Sequence, residues 1–430
     1  ALHNILLLLL NKLWEWEIIP TEWLTANVRY LHKGKRKSKI DLDSYRPISL
    51  LSCLGKFFTM MWYPRLISVL RPHIGDDQAG GLPGDSAVDA LWTLQASTAK
   101  FASQKSGNHA HMLLCDVEKA FDGVWRGGLD FLLYSYGVRG KMLRMVMHWH
   151  SGAKGIGLWY DIQTAIVPFT QGVRQGCVLG PLLYITFASA LTNVAPSPHG
   201  HTRPDLLRRA FEDNLSSSNY GIELNFSNGA VVHMAAKLYL DDTTLLAKSN
   251  EHMQDTANAY LAYAYKWRFN LHLGKFQYMV CKRGNHTSAS LLMQDGSNST
   301  TVTPVTNVHL LGVTLDSTFS GTPAIQGWQA ESAQNLPLIK SVRQHLGKDW
   351  AIHALTTKVE PKIFYGSEAV WATEARVDKL NSSCTIPSLK TAMQVPRCEN
   401  GKAVTYDVPL PWVSTRVTMA QTRLFLRMAW

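Results

Sequence analysis

The sequence predicts an α+β fold, and three features carry the prediction. Met112-Leu113-Leu114-Cys115 is a compact apolar run with the length of a buried strand. Ala235 to Leu238 and Thr243 to Ala247 are short apolar-biased arms flanking Tyr239-Leu240-Asp241-Asp242. They read as a β-hairpin with both aspartates at its turn, since Asp-Asp is disfavoured inside a strand and tolerated at a turn. Beyond about residue 324 the pattern becomes mostly helical, as a separate helical subdomain would be.

At 430 residues the chain can bury a large core in two or three subdomains. Hydrophobic residues at 46% and charged residues at 17% describe a globular rather than a disordered chain. Lys+Arg 43 against Asp+Glu 32 leaves a formal charge of +11, which favours a polyanionic partner such as nucleic acid or an anionic membrane surface. The apolar run Leu6 to Leu10 is far short of a membrane span and follows no basic stretch, so neither anchor nor signal peptide is expected. Cys53, Cys115, Cys177, Cys281, Cys384 and Cys398 are scattered without a C-x-x-C pair, the pattern of reduced thiols in an intracellular protein. A start at Ala1 and an apolar-rich end at Arg423-Leu424-Phe425-Leu426 predict a fragment of a longer product.

In chain order, Leu2, Ile5, Leu6, Leu9, Leu13 and Trp16 recur at helical spacing and predict an amphipathic helix over residues 2–16. Lys33-Gly34-Lys35-Arg36-Lys37-Ser38-Lys39 carries five cations in seven residues, either a solvated loop or a phosphate-binding one. Tyr45-Arg46-Pro47-Ile48-Ser49-Leu50 then sets the Arg46 guanidinium beside a rigid proline, near that basic loop. Gln78 to Gly84 is glycine-rich and turn-like, and Ser86-Ala87-Val88-Asp89 resembles a capping box opening a helix through Phe101. Asp116 stands at the C-terminal end of the 112–115 strand, where open sheets present their chemistry, and Asp122 follows six residues later. Two helical segments follow, with Leu129, Leu132 and Leu133 in one and Met142, Leu143, Val146 and Trp149 in the other.

Gly157 to Tyr160 and Ala165 to Phe169 predict paired strands. They lead into Gly172-Val173-Arg174-Gln175-Gly176-Cys177-Val178-Leu179-Gly180-Pro181, a glycine-bounded loop that opens a helix over 182–193. Such a loop lets a ligand approach the backbone closely and places Gln175 in the open. Residues 196–219 shift to Pro, His, Ser and Arg and read as a surface insertion. After the acidic hairpin the pattern predicts a helix over 251–270, a strand from Phe276 to Cys281, a polar loop over 284–303, and a short apolar turn or strand from His309 to Val313.

Asp116 at a strand end, Asp241 and Asp242 at a hairpin turn, and Gln175-Gly176 in a loop opening a helix make a candidate active site. Carboxylates held together raise each other's pKa unless they are neutralised, and the usual neutraliser is a divalent cation. The set resembles the reverse transcriptase of a non-LTR (LINE-type) retrotransposon, in six motifs that follow the family's order. Tyr45 to Leu50 is similar to its fingers motif, Asp116 to Asp122 to the first palm motif and Gly172 to Pro181 to the second. Tyr239 to Asp242 resembles the Y-x-D-D box, Leu273-Gly274-Lys275 the fourth motif, and Leu311-Gly312-Val313 the turn that grips the primer.

The resemblance implies a right-hand polymerase with fingers, a palm built on an antiparallel sheet, and a helical thumb. The N-terminal extension and fingers would occupy residues 1–110, the palm with interleaved fingers segments 111–283, the palm–thumb junction and primer grip 284–323, and the thumb and C-terminal connection 324–430. It implies RNA-directed DNA synthesis with two Mg²⁺ ions, or Mn²⁺, roughly 4 Å apart. Asp116, Asp241 and the Val117 carbonyl would hold them with Asp242 alongside, and Lys275 would protonate the departing pyrophosphate. Phe121 would lie beneath the incoming sugar and exclude a ribose 2′-hydroxyl. Gln175 and Gly176 would border the nucleotide, Lys33 and Arg46 would meet its triphosphate, and Leu311 and Gly312 would grip the primer.

The partners implied are an RNA template, a DNA primer, deoxynucleotides and an endonuclease elsewhere in the full product, in the cytoplasm and nucleus and not on a membrane. The oligomeric state does not follow. Departures from the family pattern are Leu240, larger than the usual alanine and set to press on the primer end; Gly180, where serine is more usual; a loosely matching Gly81 to Gly84; and a long 196–219 insertion. Two rivals stay open: a group II intron-like reverse transcriptase and maturase, and a decayed copy that only binds RNA.

Overall fold

The computed structural model describes residues 2–34, 37–192, 215, 220–281, 289–295, 298–318, 320–363, 365–367, 369–370 and 381–393. The first helix spans Leu2–Trp16, as its spacing predicts, but a different face turns inward. Leu10 and Leu13 are buried, with Leu6 and Trp14 partly so, while Leu2, Ile5, Leu9 and Trp16 stay exposed. Trp14 favours that rotation: its indole packs 6.0 Å from the Trp62 ring and lies under the Arg65 guanidinium, a large contact that outweighs the smaller aliphatic stripe.

Strand β1 (Thr25–His32), which the sequence pattern did not reveal, pairs antiparallel with β2 (Tyr45–Leu50), setting Leu31 opposite Arg46. Strand β3 (Ala110–Cys115) is buried throughout and belongs to a second sheet. Strand β4 (Lys154–Trp159) runs parallel to β1, and β5 (Ile162–Gln163) and β6 (Val167–Pro168) pair along its other side. The expected strand pair is therefore present with its second arm split, where the Thr164 hydroxyl accepts the Gly157 N–H.

β7 (Ile222–Asn225) and β8 (Val231–Met234) form a hairpin, and β9 (Ala236–Tyr239) and β10 (Asp242–Ala247) form the acidic one. β11 (Gln277–Cys281) follows. Where a polar loop was expected, β12 (Leu291–Asp295) and β13 (Asn298–Val302) form another hairpin. Leu291 and Met293 alternate inward, and the Leu292 backbone exchanges two hydrogen bonds with the Gln254 side chain. Two inward positions among polar residues are too few to register as an apolar alternation. β14 (Pro304–Val305) joins β11, and β15 (Asn307–Leu310) pairs with β16 (Val313–Asp316).

The second sheet has the order β14-β11-β3-β10-β9, antiparallel except at β14. Because successive side chains on a strand face opposite ways, it feeds two cores. Leu113, Cys115, Leu245 and Tyr278 pack with helices Gly180–Ala188 and Asn250–Trp267 on one face. Met112, Leu114, Leu246 and Met279 pack with helix Ala87–Gln104 and the later helices on the other. The expected capping box is present, the Asp89 N–H donating to the Ser86 hydroxyl at 3.2 Å.

After residue 321 the described chain is mostly helical, with the helices Thr322–Leu346, Lys348–Ala354, Glu360–Ile363 and Ile386–Met393. A β1/β2/β4 sheet, a mostly antiparallel sheet and a helical end give the α+β right-hand architecture. Among the described residues no helix is long and apolar enough to cross a membrane, and Cys53, Cys115, Cys177, Cys281 and Cys384 are free thiols. Cys398 and the 196–219 insertion lie outside the described residues, apart from Leu215, which is buried and donates its N–H to the Leu191 carbonyl.

Candidate active site

The sheet register assembles the acids. Thr243 on β10 pairs with Cys115 on β3, so one step further along the same register sets Asp242 across from Asp116. The turn Leu240-Asp241 caps the hairpin, with Leu240 at a φ of 54°. Residues 270–272 run antiparallel beside 116–118, through a Glu118 N–H bond to the Asn270 carbonyl and a His272 N–H bond to the Asp116 carbonyl. In that pattern the Val117 carbonyl points away from the neighbouring segment. The short turn Leu273–Lys275 then carries the Lys275 ammonium to 2.8 Å from Asp116 Oδ2. Both partners are about half exposed, so this pair contributes at most about 1 kcal/mol and is readily exchanged for another cation.

Asp116, Asp242, Gly274, Lys275, His309 and Leu310 line one cleft of about 310 Å³. Asp241 and Asp242 are exposed as residues, yet their carboxyls are crowded by protein on one side. Burial, with the charges of Asp241 and Asp116, pushes the Asp242 carboxyl up to about 6. Asp241 is raised chiefly by burial and then by Asp116, against its own backbone hydrogen bond and the Arg46 guanidinium. Among the described residues no group of three His, Cys, Asp or Glu side chains is placed to hold a metal ion, and Asp116 is met by Lys275 instead. The donor chemistry still suits a hard divalent cation: mutually repelling carboxylates and a carbonyl turned free of its neighbouring strand.

The other predicted residues fall around this centre. Arg46 lies on β2, exposed and near enough to act on Asp241. The Lys33 ammonium donates to the Asp43 carbonyl at 2.7 Å, and the Asp43 carboxylate pairs with Lys119 at 2.9 Å, joining the start of the basic loop to the segment after Asp116. Lys35 and Arg36 lie outside the described residues. Phe121 stacks on Tyr184, with centroids 4.8 Å apart and planes 14° apart, which fixes its ring.

Gln175 is half-buried rather than open, and its carbonyl accepts the Ser49 N–H at 2.8 Å. The close approach expected of Gly176 is made by the protein itself: a Cβ there would stand 2.6 Å from the Ser49 carbonyl oxygen. Gly180 has a steric reason too, since any Cβ, a serine's included, would lie 2.9 Å from the Arg174 carbonyl oxygen. Leu311 and Gly312, with φ of 48° and 82°, form the turn of the β15–β16 hairpin, whose His309 and Leu310 face the cleft.

Two residues that shape the site were missed by the sequence reading. Arg174 is buried, lies 4.5 Å over the Trp149 ring and donates to the Leu24 and Trp149 carbonyls; burial pulls its guanidinium down to about 10. It anchors the loop bearing Gln175. Gln78 accepts the Leu240 N–H at 3.2 Å. The glycine-rich turn around Gln78 and the glycine-bounded loop from Gly172 to Pro181 were the only signals of them.

A mostly antiparallel sheet that gathers carboxylates from a strand end and a hairpin turn, with a fingers sheet on one side and helices on the other, is the palm of a nucleotidyltransferase of the polymerase class. Residues 33–315 match the family described as reverse transcriptase (RNA-dependent DNA polymerase), and the chain belongs to that family. It is 26% identical over 381 residues to the RNA-directed DNA polymerase from mobile element jockey of Drosophila melanogaster, covering 84% of this chain and 37% of that protein. It is 30% identical over 208 residues to a probable RNA-directed DNA polymerase from transposon BS of the same species, covering 46% of this chain and 21% of that one.

The chain thus spans well under half the length of either relative. These are non-LTR retrotransposon polymerases, as the motif order led us to expect. A solved telomerase from Candida tropicalis, in complex with a fragment of telomeric RNA, aligns at 10% identity with a TM-score of 0.44 over 97% of this chain and 64% of that one, too loosely to bear on function.

Proposed function

We propose that this chain copies a retrotransposon RNA into DNA by adding deoxynucleotides to a DNA primer, and that priming occurs at the target site. The observation that supports it most is the shared cleft: Asp116 and Asp242, each next to the paired Cys115 and Thr243, both line it, Lys275 reaches Asp116, and the β15–β16 hairpin borders the same space. Asp116, Asp241, Asp242 and the Val117 carbonyl would hold divalent cations, Mg²⁺ or Mn²⁺, which when bound supply charge neutralisation for an in-line attack on the α-phosphate.

The chain's own groups do the rest. Phe121, fixed against Tyr184, offers a rigid ring that excludes a 2′-hydroxyl. Arg46 and Lys33 supply positive charge from the fingers side for the triphosphate. Lys275, paired with Asp116 at 2.8 Å, would be freed where a cation takes its place and would then be placed to give its proton to the departing pyrophosphate. Leu311 and Gly312 orient the primer end. An endonuclease elsewhere in the full product would open the target.

The reading is tested by single-nucleotide extension of a DNA primer on an RNA template, with deoxynucleotides against ribonucleotides. Preferential deoxynucleotide incorporation, relaxed by Phe121→Val, supports it. A chain that binds the primer–template yet extends it on neither RNA nor DNA is a non-catalytic, RNA-binding copy instead.

A further inference from the structure

Leu240 precedes Asp241 at a φ of 54°, in the left-handed region that a residue with a Cβ resists. It is held there by a strap, residues 77–81, that runs along the outer edge of β9. The Leu238 N–H donates to the Asp77 carbonyl and the Ala79 N–H to the Leu238 carbonyl, both at 2.8 Å, and Gln78 pairs with Leu238 in parallel. Glycines bring the strap in close. A Cβ on Gly80 would stand 3.1 Å from the Leu240 nitrogen and from the Tyr239 ring, and one on Gly81 would stand 3.1 Å from the Leu240 side chain.

Gln78 is the strap's buried polar side chain, 4% exposed. Its Oε1 accepts the Leu240 N–H at 3.2 Å, and that partner fixes which end of the amide faces the turn. Its Nε2 is buried with no hydrogen-bond partner. Burying an amide with an unsatisfied donor is unfavourable, so an apolar side chain would serve better here if packing were its whole purpose.

We infer that Gln78 is a positioning residue: its amide oxygen holds Leu240 in its left-handed conformation and thereby sets the direction of the Asp241 carboxylate beside Asp116. This rests on the acidic hairpin being the catalytic centre. Methionine matches the volume of glutamine and lacks the acceptor, whereas glycine at 240 adopts a positive φ unaided.

The test is a double-mutant cycle of Gln78→Met and Leu240→Gly, read by single-nucleotide extension and by hydrogen exchange over residues 236–247. Gln78→Met is expected to lower kcat at least about tenfold with the nucleotide KM within about threefold, and to cost less than about threefold in the Leu240→Gly background, whatever the effect of that change alone. Exchange at the hairpin tip should rise about tenfold in Gln78→Met while β3 and β11 stay protected. An equal kcat loss in both backgrounds, a loss confined to KM, or unchanged exchange at the tip overturns the inference. A wild-type chain without polymerase activity would sink the catalytic reading separately, and exchange would still decide whether Gln78 holds the turn. If Gln78→Met does not fold, Gln78→Asn, which withdraws the amide by one methylene, runs the same cycle.

Discussion

Two hairpins border one cleft, and their turns are built differently. The turn proposed to grip the primer, Leu311-Gly312, has two successive positive φ values, the arrangement whose twist matches the flanking strands and which favours glycine at its second place. The acidic turn, Leu240-Asp241, has a positive φ at Leu240 alone, a first position where glycine is preferred, and it carries an aspartate next to it. The first turn carries the same strain at Leu311 but has a glycine at its second place. The second has no glycine and is held from outside, by the strap at 77–81.

The comparison is broken most severely by removing a carboxylate. Asp116→Asn should cut primer extension by roughly a thousandfold or more, as expected when several kcal/mol of transition-state charge stabilisation is lost. The melting temperature should move little, since the exposed pair with Lys275 contributes little. A tenfold loss or less would mean that Asp116 is not at the reacting centre.

The strap has its own pH signature. Burial pushes the Asp77 carboxyl up to about 6, against the opposing pull of Lys237 and with a push from Asp76. A folded-state pKa above the unfolded one contributes stability that is full below about pH 4 and lost as pH rises to about 6. Asp77→Asn should therefore gain on the wild type by up to about 2 kcal/mol between those limits, allowing for partial solvent screening. Urea unfolding of both proteins at several pH values would show this, and parallel pH profiles would remove Asp77 as a source of strain behind the acidic hairpin.

The smallest effect is expected at the turn proposed to grip the primer. Gly312→Val places a Cβ at a φ of 82° and 3.1 Å from the Tyr365 ring, and should destabilise the chain by about 1–2 kcal/mol. It should weaken primer–template binding with kcat for bound primer changed only a few-fold. A loss as large as that of Asp116→Asn would erase the distinction between the two turns.

Much of the palm was legible in the sequence because its elements are local. The 112–115 run, the arms of the acidic hairpin and the Ser86 cap each announce themselves within a few residues, and so did the acids they carry. β1 was invisible because only Ala26 and Val28 of its eight residues are fully buried, too weak an alternation to see. The first helix showed its orientation only through the Trp14–Trp62 contact, a partner no spacing rule supplies.

Gln78 and Arg174 were hidden for a similar reason. They act on backbone groups 162 and 150 residues away, so their roles exist only once the chain is folded. At Gly176 the sequence signalled a close approach, and the structure shows one by the Ser49 carbonyl.

The most direct measurement of the central claim is primer extension on an RNA template with Mg²⁺ and deoxynucleotides, comparing the wild type with Asp241→Asn. Extension by the wild type and its abolition in the variant, with primer–template binding retained by both, is the predicted result. Equal extension by the two proteins would contradict the assignment of the acidic turn as the catalytic centre.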